Sequence, residues 1–180
     1  MSDHLAWAQW WANPWQSSHP DATSAHVYDA VLPLCRSRPG LACAALGIEP
    51  CLPPAPCATV LGLALASPEQ IDLAVALLDL TCHPNLHSPL CDEHRKWCER
   101  LAKALHPEAL LQPDDDPLQL LRAWVKPAVW QRLRLRLAPD RVQSIERTYL
   151  SLDDAHGRLN TLWQAIAWRI AATNSEVTHH

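Results

Sequence analysis

Asp116-Pro117-Leu118-Gln119-Leu120-Leu121-Arg122-Ala123-Trp124-Val125-Lys126-Pro127-Ala128-Val129-Trp130-Gln131-Arg132-Leu133-Arg134-Leu135-Arg136-Leu137 is the stretch on which the fold turns. It holds two tryptophans, six leucines and four arginines. Leu118, Leu121, Trp124 and Val125 fall on one face of a helix over 117–125. Lys126 and Pro127 break that helix and start another, in which Trp130, Leu133 and Leu137 recur at i, i+3 and i+7. The alternation of Arg132, Arg134 and Arg136 with Leu133, Leu135 and Leu137 also fits a strand at 131–137. Pro127 and Pro139 favour helix. The three arginines cluster under either reading. They form a solvated surface with stems lying over apolar area, or a patch that recognises carboxylates on a partner.

Upstream, Asp114-Asp115-Asp116 marks an acidic boundary. Asp116 before Pro117 fits a helix N-cap, and the run lacks the further ligands of a magnesium or calcium loop. Downstream, Pro139 to Leu150 reads as a helix with Val142, Ile145 and Tyr149 inward. A last helix starts at Asp153 or Asp154 and runs to Thr173, with Leu159, Leu162, Trp163, Ile166 and Ile170 as its apolar stripe.

Before this region, residues 3–12 predict a short helix capped by Asp3, with Trp7, Trp10 and Trp11 on one face. Those indoles either dock the segment on the core or form a detachable partner motif. Asp21 to Leu32 reads as a second helix faced by Val27, Tyr28 and Val31, ended by Pro33. Prolines and glycines leave room only for short turns over 33–57, around Leu41 to Leu46. Cys35, Cys43, Cys51 and Cys57 there show no C-x-x-C spacing and read as small buried thiols. Ala58 to Ala66 is apolar and helical. Ser67-Pro68-Glu69-Gln70 is a capping box opening a helix to about Leu80. Ser88 and Pro89 open the next, to Leu105.

Composition gives the same class. The chain has 180 residues, 48% hydrophobic, with no Phe and nine Trp. Trp97, Trp124, Trp130, Trp163 and Trp168 are therefore expected to supply the aromatic packing. The expected fold is all-α. It is a single compact multi-helix domain over 1–173, with a Trp- and Pro-rich part at 1–57, a helical core at 58–173 and a disordered tail at 174–180. Met1-Ser2-Asp3-His4 lacks a basic leader region, and no apolar run approaches the ~20 residues of a membrane span. A cytoplasmic chain with reduced cysteines is the expectation.

Residues 1–116 carry a net charge of −8 and residues 117–180 a net +4. That basic third is too weak to indicate nucleic acid against an overall charge of −4. Cys82, His83, His87, Cys91, His94 and Cys98 are the one grouping with zinc-ligand chemistry, because Cys91, His94 and Cys98 fall on one helical face. Their gaps match no standard finger or ribbon. The alternative to a zinc-stabilised binding domain built on Cys82, His87, Cys91, His94 and Cys98 is an ordinary helix with Cys98 inward and His94 solvated. His179-His180 is too short for a metal site. No phosphate loop, dinucleotide-binding glycine motif, nucleophile elbow or H-E-x-x-H motif occurs in the sequence, and catalytic residues are not expected.

Leu121-Arg122-Ala123-Trp124, the run Trp130 to Pro139 and Leu159-Asn160-Thr161-Leu162-Trp163-Gln164-Ala165 together resemble the K subunit of the type III secretion sorting platform. This is the SctK/YscK family, with the OrgA and MxiK proteins as distant relatives. The resemblance covers roughly the last third. It implies a non-enzymatic, largely helical cytoplasmic adaptor without a cofactor. It implies protein partners: an SctD-like inner-membrane ring protein, an SctQ-like pod protein and an SctL-like stator. Under it, Arg132, Arg134, Arg136, Trp7, Trp10 and Trp11 are the expected partner-binding residues. The proline and cysteine load and the lack of Phe depart from the family.

Overall fold

The structure, a computed structural model, describes residues 2–23, 26–84, 87–112, 114–148, 150, 152 and 155–177, with the side chains of 22–30 and 174–177 excepted. In chain order the helices are α1 (Asp3–Ala12), α2 (Pro20–Thr23), α3 (His26–Ser37), α4 (Pro39–Ala45), α5 (Ala58–Leu65) and α6 (Pro68–Cys82). Then follow α7 (Asp92–Leu105), α8 (Gln119–Trp124), α9 (Pro127–Leu133), α10 (Pro139–Arg147) and α11 (His156–Val177). Short 3-10 turns occupy Pro14–Ser17, Pro107–Leu110 and Arg134–Arg136. The fold is all-α, and no strand occurs among the described residues. The 131–137 alternation is therefore helical: α9 ends at Leu133 and the next turn tightens to 3-10.

The contacts divide between two units. One comprises Met1–Leu65 and Lys126–Arg147, the other Ala66–Val125 and Thr148–His180.

In the first unit, α1 buries Trp7, Trp10 and Trp11, which lie 5.2–6.1 Å apart between ring centres. Their packing is mutual, in tilted, stacked and edge-on pairs. The residue ahead of α1 is Ser2, so Asp3 sits in the first turn rather than capping it, and neither side chain makes a cap hydrogen bond. Pro33 lies inside α3 instead of ending it. A proline there costs about 3 kcal/mol by losing one backbone bond and crowding the preceding turn. The turn beyond it packs Leu34 and Cys35 on a cluster of Trp15, Val31 and Ala42, which favours continuing the helix. The expected turns near Leu41 are a true helix, α4, started by Pro39 at its first position.

In the second unit, Ser67 and Gln70 form the reciprocal capping box ahead of α6, as the sequence reads. Gln70 also donates from Nε2 to the Ile170 carbonyl at 2.9 Å, joining α6 to α11. Ile71, Ala74, Leu77, Leu78 and Leu80 are buried along α6. The α11 stripe Leu159, Leu162, Trp163, Ile166 and Ile170 is buried throughout. Trp163 stacks on Trp124 of α8 at 6.0 Å and 19° between planes. Trp168 is 64% exposed and supplies no core packing, because it falls opposite that stripe on the helix. Ser88 does not cap α7. Its Oγ accepts from the Leu90 amide at 3.4 Å and the helix starts at Asp92. Asp116 does serve the entrance of the 117–124 segment, accepting from the Leu118 amide at 2.8 Å.

Tyr149, Asp153, Asp154 and the side chains of Val27 and Tyr28 lie outside the described residues. So do 178–180, while 174–177 continue α11. No helix among the described residues is long and apolar enough to cross a membrane.

Candidate functional site

Arg132, Arg134 and Arg136 do not form a solvated patch. Arg132 and Arg136 are buried and Arg134 is half-buried. The reason lies in the backbone. The chain passes from α-helix at Leu133 to a 3-10 turn at Arg134–Arg136. Residues 132 and 136 then fall toward the same side and residue 134 toward the other. On both sides the guanidinium groups meet the carbonyl-rich ends of other helices. Helix ends leave their last carbonyls without partners and carry partial negative charge, so a cation there is favourable.

Each arginine serves a different end. Arg132 donates from Nε to the Trp11 carbonyl in the last turn of α1 at 3.2 Å, and from a terminal nitrogen to its own Ala128 carbonyl at 2.9 Å. Its guanidinium lies 3.7 Å above the Trp11 ring, a cation–π contact. Arg136 donates to the Ser17 carbonyl, which closes the Pro14–Ser17 turn. Arg134 donates to the Leu46 carbonyl at 2.8 Å at the end of α4, and grips both carboxylate oxygens of Glu146 at 2.9 Å. Glu146 also accepts from the Trp130 indole at 2.9 Å. Burial pushes the Arg132 and Arg136 guanidinium groups below the usual arginine range. The fixed carbonyls offset that cost.

Gly47 belongs to this arrangement. It ends α4 with φ +65°, and a Cβ built there would stand 2.8 Å from an Arg134 nitrogen. Backbone conformation and the approach of the guanidinium both call for glycine. Beside Arg134 a groove of about 290 Å³ is lined by Ala45, Leu46, Leu137, Pro139, Val142 and Glu146.

The N-terminal indoles are tied down too. Trp7 donates to the Pro54 carbonyl at 3.0 Å and Trp11 to the Cys51 carbonyl at 3.2 Å. Residues 51–57 are irregular and proline-rich, so these carbonyls have no helical partners of their own. Trp7, Trp10 and Trp11 are each under 7% exposed, which is the docked reading rather than the detachable one.

In the cysteine- and histidine-containing region, the side chains separate. Cys82 and Cys98 are buried, and the Cys98 thiol donates to the Leu77 carbonyl at 3.4 Å. Burial, then the negative charge of Asp79, pushes the Cys82 thiol up to about 12. His87 and Cys91 are exposed, and His83 and His94 are half-buried. Cys91 Sγ lies 3.2 Å from His94 Nδ1. Burial, followed by Arg169, pulls the His94 imidazole below its ordinary range, against the opposing pull of Glu93. Among the described residues no three His, Cys, Asp or Glu side chains are placed to hold one metal ion.

Sequence reasoning missed Glu146, Gln131 and the carbonyl acceptors. Gln131 Oε1 accepts from the Glu49 amide at 3.0 Å, 82 positions away. A signal was present: arginines alternating with leucines under a helical period must place some guanidinium groups inward.

Compared with models of protein families, with curated proteins and with solved structures, the chain matches none.

Proposed function

We propose that this chain is a non-enzymatic adaptor of a bacterial type III secretion sorting platform. It links the cytoplasmic domain of an SctD-like inner-membrane ring protein to an SctQ-like pod protein, with an SctL-like stator as a further neighbour. It works docked at the cytoplasmic face of the secretion apparatus, with no cofactor, no nucleic acid and no insertion of its own into the membrane.

The observation that supports this reading is where the resembling residues lie. Leu121 to Trp124 and Leu159 to Ala165 are 35 positions apart at Trp124 and Leu159, yet they meet through the stacked Trp124 and Trp163 rings. The run from Trp130 to Pro139 contributes Trp130, Leu133 and Leu137 to the interior of the other unit. The resembling residues thus include buried packing positions within each of the two units taken by itself, as befits a scaffold whose likeness lies in its packing. The arginines contribute to that interior, and the adaptor reading does not depend on them as a contact surface.

Co-expression of the full chain with tagged SctQ-like and SctD-like proteins from the same genome tests it. The expected result is a stable binary complex with at least one of them after size-exclusion chromatography. A chain that is well folded by circular dichroism and binds neither would overturn the proposal.

A further inference from the structure

The short helix α4 is apolar on every side. From Pro39 to Leu46 no side chain carries a charge, an amide or a hydroxyl. Its inner face is Ala42, fully buried in a cluster with Trp15 and Val31. Its outer face is open: Leu41 is 50% exposed, and Ala44 and Ala45 are exposed one turn on. A helix with one face on a core ordinarily carries polar residues on the other, and an apolar outer face marks a surface that something else covers. Ala45 and Leu46 also line the groove beside Arg134, together with Leu137, Pro139 and Val142. The outer stripe of α4 therefore runs into that groove as one apolar surface, all of it within the first unit.

The charges at its two ends decide what fits there. Arg38 stands at the entrance of α4, and Glu49 follows soon after its exit. Both are exposed, and neither side chain has a hydrogen bond or ion pair among the described residues. A stripe that is basic at one end, apolar along its length and acidic at the other is complementary to itself when turned about a two-fold axis. We propose that this surface is the interface of a homodimer, in which α4 packs antiparallel on α4 of a second copy. Setting Arg38 of each copy against Glu49 of the other places Leu41 of each opposite Leu46 of the other, at the mouth of its groove. The small side chains of Ala44 and Ala45 let the two helix axes approach closely. Two short helices and a groove make a small interface, so the dimer is weak and reversible. A dimer of this kind is independent of the adaptor reading.

Sedimentation velocity of the full-length chain under reducing conditions, from about 5 to 500 µM, tests it, because a weak dimer shows as a concentration-dependent equilibrium. The sedimentation coefficient is expected to rise from the monomer toward the dimer value. Leu41→Glu is expected to weaken association at least about tenfold, since it puts a carboxylate into an apolar contact. Arg38→Glu and Glu49→Arg are each expected to weaken it about threefold at low salt, and the two together to restore it. All three residues are exposed, so the variants are expected to keep the wild-type circular dichroism. Should a variant unfold, amide exchange of the wild-type chain decides: α4 is expected to exchange more slowly at the high concentration than at the low one. A wild-type chain that stays monomeric across the range overturns the proposal. So does a dimer indifferent to Leu41→Glu, a double charge exchange without recovery, or α4 exchange that does not change with concentration.

Discussion

In the unit made of Met1–Leu65 and Lys126–Arg147, three guanidinium groups are bonded to the closing carbonyls of α1, the Pro14–Ser17 turn and α4. In the unit made of Ala66–Val125 and Thr148–His180, the helix entrances are served by Ser67, Gln70 and Asp116, and the interior is an apolar stripe of α11 against α6 and α8. Both units bury tryptophans. The first spends indole and guanidinium donors on loop and helix-end carbonyls; the second mostly stacks and packs. The difference follows from the sequences. Prolines and short helices give the first unit many helix ends and irregular carbonyls, and long donors from α9 and the turn after it reach them. The 15-residue α6 and 22-residue α11 of the second leave fewer ends to satisfy.

The largest effect expected is in the second unit. Trp163→Ala removes a fully buried indole and its stacking on Trp124, and is expected to cost ~3–5 kcal/mol in denaturant unfolding. A loss under ~1 kcal/mol would mean that the second unit does not depend on apolar packing as described. In the first unit, Arg132→Met is expected to cost about 2–3 kcal/mol by leaving the Trp11 carbonyl unpaired and removing the stack on its ring. Arg132→Lys is not expected to restore it, because an ammonium lacks the planar fork that stacks and bonds together.

A pH titration tests a buried thiol of the second unit. The Cys82 thiol is raised from 9.0 to about 12 in the folded chain, so the unfolded chain loses its proton first as pH rises. Its contribution is fully present below the unfolded value and is lost between there and the folded one, at up to about 1.4 kcal/mol per pH unit. Stability is expected to fall above pH 9.0, and less steeply in Cys82→Ala. An identical alkaline slope in that variant would remove Cys82 as a cause. The smallest effect concerns the cap: Ser67→Ala is expected to cost about 1 kcal/mol, read as a thermal shift. No shift would mean that Gln70 holds the entrance of α6 alone.

The sequence was most legible where one periodic face met one core. The α11 stripe and the Ser67 box could be read residue by residue because the information is local. Pro33 misled because its local cost is outweighed by the contacts of Leu34 and Cys35 with Trp15 and Ala42, which no local pattern reveals. The arginines misled for a related reason. Their acceptors are backbone carbonyls at Trp11, Ser17 and Leu46, and a carbonyl carries no residue type to recognise. That residues 126–147 join the first 65 is likewise a long-range fact, visible only once those donors and acceptors are paired. For the candidate site, the ordinary-helix alternative read from the sequence had Cys98 inward, as burial shows, but took His94 as solvated, and the ring is half-buried.

The central claim is that Arg132 and its neighbours tie the chain from within instead of presenting a binding patch. Amide hydrogen exchange on Arg132→Met against the wild-type chain tests this most directly. The expected result is faster exchange through the last turn of α1, at Gln9 to Asn13, and in α9, where the Arg132 contacts lie. Unchanged protection at those amides, with unchanged stability, would contradict it.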